Sequence, residues 1–496
     1  MTRQPAIWAL TTGEAGMTTQ ARALAVAIAE RLLHASTLAP HVFVASGKSA
    51  EPQSGQAIEG PLSRSPQIPR HTAERPPGVA DADGSNSAAL EVRVVRAVPP
   101  RILGVLPVSW WMRFFPRAVL QATRVSDAAT GAPIDLSAEH APALIVTCGR
   151  RSARIAAALR QVSRAAVRGC GDRHRVAHEV VAIHVQDPRM ALRYFDAVVV
   201  SAHDAIAQVR ETHAHGDRIW VVSGALHDFT SRHLNVIRKT SAADFPVRFA
   251  ALPRPWVAVA LGGSTRRFRF DRAQASAWGE RLAALLAREQ GSVLVTSSRR
   301  MNPAAWKALR AGFERATRRH LGGVAEQRAW WHAAHAEDAS AQVNPYPGML
   351  AWADAWVVSG DSVSMVSEAL ATGRPVAVLE PSRGVRVFGR SVARFHAQLV
   401  EQGRVQRLVD DVDAQAFAQT LVATLENADS TSWVGGESEH GAESSDVATA
   451  RRFGVGLKPP PRGDVFTESE RVAEELLRAG VLAPLIELAK RQSDGR

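Results

Sequence analysis

The sequence predicts an α/β protein made of two doubly wound, Rossmann-like domains facing a cleft. Apolar runs of four to six residues alternate with helical segments along most of the 496 residues. That is the pattern of a parallel sheet covered by helices on both faces. The pattern stops at a polar connection, 228–254, and then restarts. The chain is also too long for one ordinary core, so two domains plus insertions are expected.

The first strand is IWAL (7–10), followed by the turn TTGEAGMTTQ (11–20) and a helix from about Thr19 to Leu33. A strand HVFVA follows, and from 47 to 87 the composition turns to Pro, Gly, Ser, Gln and charge, an insertion expected to be disordered. LEVRVVRAV (90–98) resumes the order. ALIVTCGR (143–150) leads into the helix SARIAAALRQV, and VVAIHVQDPR (180–189), FDAVVVSAHD (195–204) and RIWVVSGALH (218–227) are strands ending in polar clusters. These make an N-terminal domain over 1–227. A second domain, 255–426, holds WVAVALGGS (256–264), a helix around 272–289, SVLVTSSRR (292–300), another helix, ADAWVVSGDS (353–362), the helix SMVSEALAT and the strand PVAVLE. A mobile linker, 427–463, and an amphipathic helical segment, 464–496, close the chain.

The net charge is +12, yet only five of the 60 basic residues are Lys and the Arg are dispersed. With no helix-turn-helix, zinc-finger or RNP pattern, no nucleic-acid partner is expected. The surplus can serve attraction to anionic lipid or to a phosphorylated ligand. Cys148 and Cys170 have neither metal-ligand nor redox spacing, which suits free thiols in a reducing compartment. No stretch approaches 18 uninterrupted apolar residues, and the start reaches a Gly turn too early for a signal-peptide core, so a cytoplasmic setting is expected.

Ligands of doubly wound sheets sit beyond the C-terminal strand ends, so the polar clusters there are the candidate sites. Gly13 and Gly16 allow loop 11–20 to turn tightly, either as a plain strand-to-helix turn or as a ligand loop. After WVAVAL, Gly262 and Gly263 let the backbone approach a diphosphate, Ser264 and Thr265 supply hydroxyls, and Arg266 or Arg267 can fork onto phosphate oxygens. Ser298 and Arg299 add a second such cluster at the next strand end. In VVSGDSVSMVSE, Ser362 and Ser364 lie where helix N–H groups are unpaired, a position worth about 0.3–1 kcal/mol to an anion. Glu368, one turn beyond Ser364, is placed to accept ribose hydroxyls for about 1.5–3 kcal/mol; the alternative is that Asp361 and Ser362 only cap the helix and Glu368 is a surface residue. Tyr346, between two prolines, either walls a nucleobase pocket or starts a helix.

Glu14, Asp187 and Asp204 are the candidate catalytic bases, and no metal-ligand spacing or Ser-His-Asp pattern is present. The aromatic and Arg residues of 107–120 fit either a membrane interface, hence a peripheral position at the inner face of the membrane, or a buried segment between helices.

Taken together, W-A-x-x-x-G-x-A-G-M-x-x-Q (8–20), CGRRS (148–152), QDPR (186–189), FDAVVVSAHD (195–204), VSGALH (222–227), LGGSTRRF (261–268), TSSRR (296–300), NPYPGMLAWAD (344–354) and SGDSVSMVSEALATGRPV (359–376) resemble the bacterial branch of the elongated-mitochondria-type mitochondrial fission family. The last motif and Gly-Gly-Ser are also similar to the donor half of GT-B glycosyltransferases, which implies that 255–426 is the donor side, that 1–227 is the acceptor side and that the acceptor can be lipid-linked, met through 107–120. That resemblance implies a diphosphate on Gly262, Gly263, Ser264, Ser362 and Ser364, ribose on Glu368, and sugar transfer with no cofactor or metal. The transferase that completes the lipid-linked peptidoglycan precursor carries a His in its first loop; here that region has Thr18 and Thr19, leaving the base open. A nucleotide-sugar 2-epimerase is a further alternative implied by the related Asp-Ser pattern, although a single Glu follows here. The plant relatives of the fission family imply another, a non-catalytic docking protein.

Overall fold

The computed structural model describes residues 6–37, 91–99, 115–134, 141–169, 178–204, 216–264, 270–286, 291–322, 325–334, 344–380, 390–429 and 467–494. The expected insertion at 47–87, Thr265, Arg266, the Trp pair of 107–114 and the linker stretch 430–463 lie outside them.

The first sheet has seven strands: β1 (Ile7–Thr11), β2 (Val92–Val98), β3 (Arg124–Asp127), β4 (Leu144–Cys148), β5 (Val181–Val185), β6 (Ala197–Ser201) and β7 (Ile219–Val222). They run in the order β3-β2-β1-β4-β5-β6-β7. All neighbours are parallel except β2 and β3. The four residues of β3 make too short and polar a run to be read as a strand, and pairing with β2 supplies what their own pattern lacks. β1, β4 and β5 are buried at every position, as the apolar runs predict for a sheet covered on both faces.

The second sheet holds β8 (Trp256–Leu261), β9 (Ser292–Ser297), β10 (Ala329–His332), β11 (Ala355–Ser359), β12 (Val376–Leu379) and β13 (Gln406–Leu408), all parallel. Its order is β10-β9-β8-β11-β12-β13. This is the doubly wound order, with its reversal between β8 and β11. The protein is therefore a two-domain α/β protein of the class the sequence predicts.

One face of the second sheet packs on the helices Arg272–Leu286, Pro303–Leu321 and Asp411–Asp429, around Trp278, Phe313 and Phe417. The other packs on Tyr346–Trp352, Val363–Ala371 and Arg390–Glu401, around Trp356 and Phe395. In the first sheet, the helix Arg150–Gly169 covers one face through Ala153 and Ile155. The helix Ala15–Thr37, longer at both ends than the sequence reading, covers the other.

The closing amphipathic segment is two helices, Glu468–Arg478 and Ala483–Asp494, separated at Gly480, whose φ of 73° is left-handed. They return to the first domain: Val472, Leu476 and Leu485 are buried in the same core as Leu24 and Ile28. Burying each such side chain contributes about 1.5–3 kcal/mol, which is why the tail docks rather than standing free. A capping box fixes its start, where Thr467 Oγ1 accepts from the Glu470 amide and the Glu470 carboxylate accepts from the Thr467 amide.

The helices Arg272–Leu286 and Pro303–Leu321 approach backbone to backbone. A Cβ on Gly279 would lie 2.1 Å from the Leu309 carbonyl oxygen, and one on Gly312 would lie 2.3 Å from that of Ser276. Gly279→Ala is expected to destabilise the protein by about 1–3 kcal/mol. This should appear as a lower urea midpoint at unchanged slope; an unchanged midpoint would show that the helices can separate freely.

Candidate functional site

The reversal between β8 and β11 places two loops side by side at the C-terminal edge of the second sheet, where such sheets open a crevice. The Gly262 amide donates to Ser359 Oγ at 2.7 Å, and the Gly263 amide donates to Asp361 Oδ2 at 3.1 Å. Ser359 Oγ in turn donates to Asp361 Oδ1 at 2.6 Å. Arg300 Nη2 stands 3.7 Å from Oδ2, and the Asp361 side chain is 1% exposed. Burial pushes its carboxyl above the usual range, opposed by the hydrogen bonds from Ser359 and Gly263 and by the charge of Arg300.

The two glycines thus have a nearer reason than a ligand. A Cβ at Gly262 would lie 2.0 Å from Asp361 Oδ2, and one at Gly263 would lie 2.4 Å from the Arg300 carbonyl oxygen. The amides that sequence reasoning offered to a diphosphate are engaged by Ser359 and Asp361.

Around this fixed point lie the other sequence-predicted residues. Ser264 is exposed, and its Oγ accepts from the Phe270 amide at 3.1 Å, closing the loop. Ser298 Oγ accepts from the Arg300 amide at 3.3 Å. Arg299 is exposed at the end of β9, with no ion pair among the described residues. Ser362 is the N-cap of Val363–Ala371, its Oγ accepting from the Met365 amide at 3.3 Å, and Ser364 is half-buried in the first turn.

Glu368 is not at the surface: it is 8% exposed and accepts a 2.6 Å hydrogen bond from the Tyr346 hydroxyl. Burial pushes its carboxyl up to about 7; the Tyr346 bond opposes this, and the charge of Asp228 adds to it. Tyr346, which starts its helix over Asn344 Oδ1, packs edge-on against Phe229 and Trp356. Its hydroxyl therefore points at Glu368 rather than standing free in a pocket wall.

Glu368 also adjoins the junction between the domains. Ser367 Oγ accepts from the Ala225 amide at 2.9 Å, and Arg22 of the first domain pairs with Asp228. Ser391 Oγ donates to the His203 carbonyl at 3.3 Å, and the His203 ring lies 5.1 Å from that of Phe395. The Ser223 amide donates to Glu468 at 3.2 Å, so the returning tail braces the same junction.

On the first domain's edge, Glu14 is exposed and accepts from Thr12 Oγ1. Burial pushes the Cys148 thiol up, and the charges of Glu14 and Asp204 add to this. Two of the three candidate bases therefore gather at the mouth of β4. Asp187 is engaged differently: its carboxylate pairs with Arg189 Nε at 2.8 Å and accepts from the Arg189 amide at 2.9 Å. Both Gln186 (φ 77°) and Arg189 (φ 54°) are left-handed, so backbone strain is held in this loop.

Sequence reasoning had Arg300 only as part of the cluster 297–300, and it missed Asp361 as the centre of the loop pair and the charge of Asp228 acting on Glu368. It also missed Arg96, whose guanidinium would lie 3.5 Å from a Cβ on Gly13. Among the described residues there is no cluster of His, Cys, Asp and Glu fit to hold a metal ion, and no helix is long and apolar enough to cross a membrane.

Because the folded state holds a proton on Glu368 up to about pH 7 and the unfolded chain only to about 4.5, the folded state binds more protons between those values. Its contribution to stability is full below pH 4.5 and is lost as pH rises through 7. Glu368→Gln is expected to raise stability at pH 8 by about 1–3 kcal/mol and to change it little at pH 4.5. Urea midpoints at the two pH values check this, and equal effects at both would place the proton elsewhere.

The family model described as Mitochondrial fission ELM1 matches residues 15–433. The mitochondrial fission protein ELM1 of Arabidopsis thaliana is 30% identical over 282 residues, 53% of this chain and 57% of the plant protein, so the match spans little more than half of that relative. Among solved structures, Arabidopsis thaliana UGT89C1 is similar at 12% identity and a TM-score of 0.40, covering 99% of each chain. A UDP-GlcNAc 2-epimerase from Neisseria meningitidis bound to UDP-GlcNAc is similar at 10% identity and 0.34, covering 64% of this chain and 75% of that one. The fold stands on its own strand order, not on these two likenesses. The match over 15–433 makes this chain a member of the mitochondrial fission ELM1 family.

Proposed function

We propose that the protein binds a nucleotide-diphosphate sugar at the crevice of its second sheet and transfers the sugar to an acceptor held at the edge of the first. The observation that carries this reading is the convergence, at the β8/β11 reversal, of the Asp361-fixed glycine loop, the Ser362 helix start and the exposed Arg299. Glu368 lies on the helix that starts there. Arg299 and the amides of the helix start would take up the charge of the departing diphosphate. The acceptor O–H would lose its proton to Glu14 or Asp204 as its oxygen bonds to the anomeric carbon and the bond to the diphosphate breaks. Asp187, already paired with Arg189, is the weaker base of the three. Membrane contact by 107–120 belongs to the same proposal, with a lipid-linked acceptor and a cytoplasmic, peripheral position.

A docking protein without catalysis is the second reading. It draws on one observation: Tyr346 already occupies the carboxylate, and Ser359 and Asp361 the glycine amides, that a nucleotide would use. On the first reading, ribose hydroxyls replace the Tyr346 hydroxyl on Glu368, and the diphosphate lies outside the glycine loop, on Ser364 and Arg299.

A thermal-shift screen against UDP, GDP, CMP, ADP, dTDP and their sugar conjugates separates the two. A ligand at 100 times its Kd adds about 2.7 kcal/mol, so at least one nucleotide should raise Tm. Glu368→Ala should weaken that binding about 10–100-fold. Wild-type affinity should fall from pH 8 to pH 6 as Glu368 takes up its proton. Silence from every nucleotide would overturn the donor reading, and an unaffected Glu368→Ala variant would overturn the ribose assignment.

A further inference from the structure

Between the two domains, where the segment after β7 meets the helices Val363–Ala371 and Arg390–Glu401 and the start of the returning tail, lies a cavity of about 100 Å³. Leu370, Phe395 and Leu399 give it an apolar wall, and Ser223, Arg404 and Glu468 give it a polar side. The wall is fixed by close contacts. The Ala225 amide donates to Ser367 Oγ at 2.9 Å, and a Cβ on Gly224 would lie 2.3 Å from that oxygen, so a side chain there would break the contact. Across the cavity, Gly403 is left-handed, with φ 65°, and the Arg404 amide donates to the Leu399 carbonyl at 2.9 Å. This closing turn sets Arg404 at the cavity, just beyond the end of its helix.

One positive charge is left over at this cavity. Glu468 is answered by Arg471, whose Nη2 and Nε donate to it at 2.6 and 3.0 Å, and by the Ser223 amide at 3.2 Å. His227, which also lines the cavity, is neutral at physiological pH, because burial pushes its imidazole down to about 4. Arg404 is exposed, and its guanidinium has no hydrogen bond or ion pair among the described residues; the Ser223 hydroxyl has none there either. An apolar wall is thus bordered by a guanidinium and a hydroxyl that both have bonds to give. This combination suits a molecule with a short hydrocarbon tail and one anionic head: the tail leaves water, and the head stays at the mouth, where its desolvation is small. An apolar cavity of about 150 Å³ takes benzene, so this one takes roughly four or five non-hydrogen atoms.

We propose that the junction cavity binds a small aliphatic carboxylate such as propionate, its tail against Leu370, Phe395 and Leu399 and its head on the Arg404 guanidinium and the Ser223 hydroxyl. A planar carboxylate can take two parallel N–H bonds from one guanidinium, which gives the head a defined orientation. The site is separate from the β8/β11 crevice, since the helix Val363–Ala371 turns Ser367 and Leu370 to the cavity and Glu368 to Tyr346. It does not rest on the donor reading.

The test is calorimetric titration of the full chain with sodium propionate against sodium chloride at matched ionic strength, with propionamide as the uncharged molecule of the same shape. Arg404→Gln removes the charge at an exposed position, and Ala371→Leu extends a lining side chain into the cavity. The expected result is saturable propionate heat in the wild type, weakened about 10–100-fold in Arg404→Gln, the range for a charged hydrogen bond. Propionamide should bind weaker than propionate by a similar factor, and Ala371→Leu should abolish the propionate heat. No saturable propionate heat in the wild type overturns the proposal, and so does binding that Arg404→Gln retains in full. Equal binding of propionamide and propionate overturns the carboxylate assignment. If Ala371→Leu does not fold, Arg404→Gln and propionamide decide.

Discussion

The buried carboxylate of Asp361 is the interaction on which the C-terminal edge of the second sheet depends. A charge 1% exposed is costly unless it is paired and hydrogen-bonded. Here Ser359, the Gly263 amide and the Arg300 guanidinium surround it. These partners come from the strand ends of β8, β9 and β11, so one carboxylate ties together three loops that would otherwise vary independently. The glycines at 262 and 263 follow from this arrangement, since any side chain there would collide with the carboxylate or with the Arg300 backbone. The Ser362 helix start and the exposed Arg299 are held at fixed distances by the same tie. Preorganisation of this kind lowers the cost of ordering a ligand site.

A second constraint is the meeting of both domains at Ser223–Asp228. The first sheet delivers this segment from β7, the helix carrying Ser367 and Glu368 receives it, and the returning tail braces it through Glu468 and Ser469. His227 is buried in it, and burial pushes its imidazole down to about 4, so it stays neutral at physiological pH. Glu368 is therefore coupled both to the crevice and, through Asp228 and Arg22, to the first domain. A ligand that loosened the Tyr346–Glu368 bond would change the charge felt at the junction.

Much of the architecture was legible because it rests on local pattern. The apolar runs at β1, β4, β5, β8, β9, β11 and β12 mark fully buried parallel strands. The short strands β3 and β13, of four and three residues, owe their form to neighbours and leave no such trace. The docking of the tail was not legible either, since it joins residues such as Ser223 and Glu468 that are 245 positions apart. At the candidate site, the residue types and strand ends were readable. The partners were not: no local pattern sets Asp361 against the Gly263 amide or the Tyr346 hydroxyl against Glu368.

Hydrogen exchange of the full chain, with and without UDP-N-acetylglucosamine and the corresponding GDP, ADP, CMP and dTDP sugars, tests the central claim most directly. If the Asp361-tied edge is a donor site, one of these ligands should slow exchange together at 262–264, 298–300 and 359–368, with a smaller effect at 223–229. Exchange left unchanged along that edge by every sugar nucleotide, or slowed only in the first domain, would contradict it.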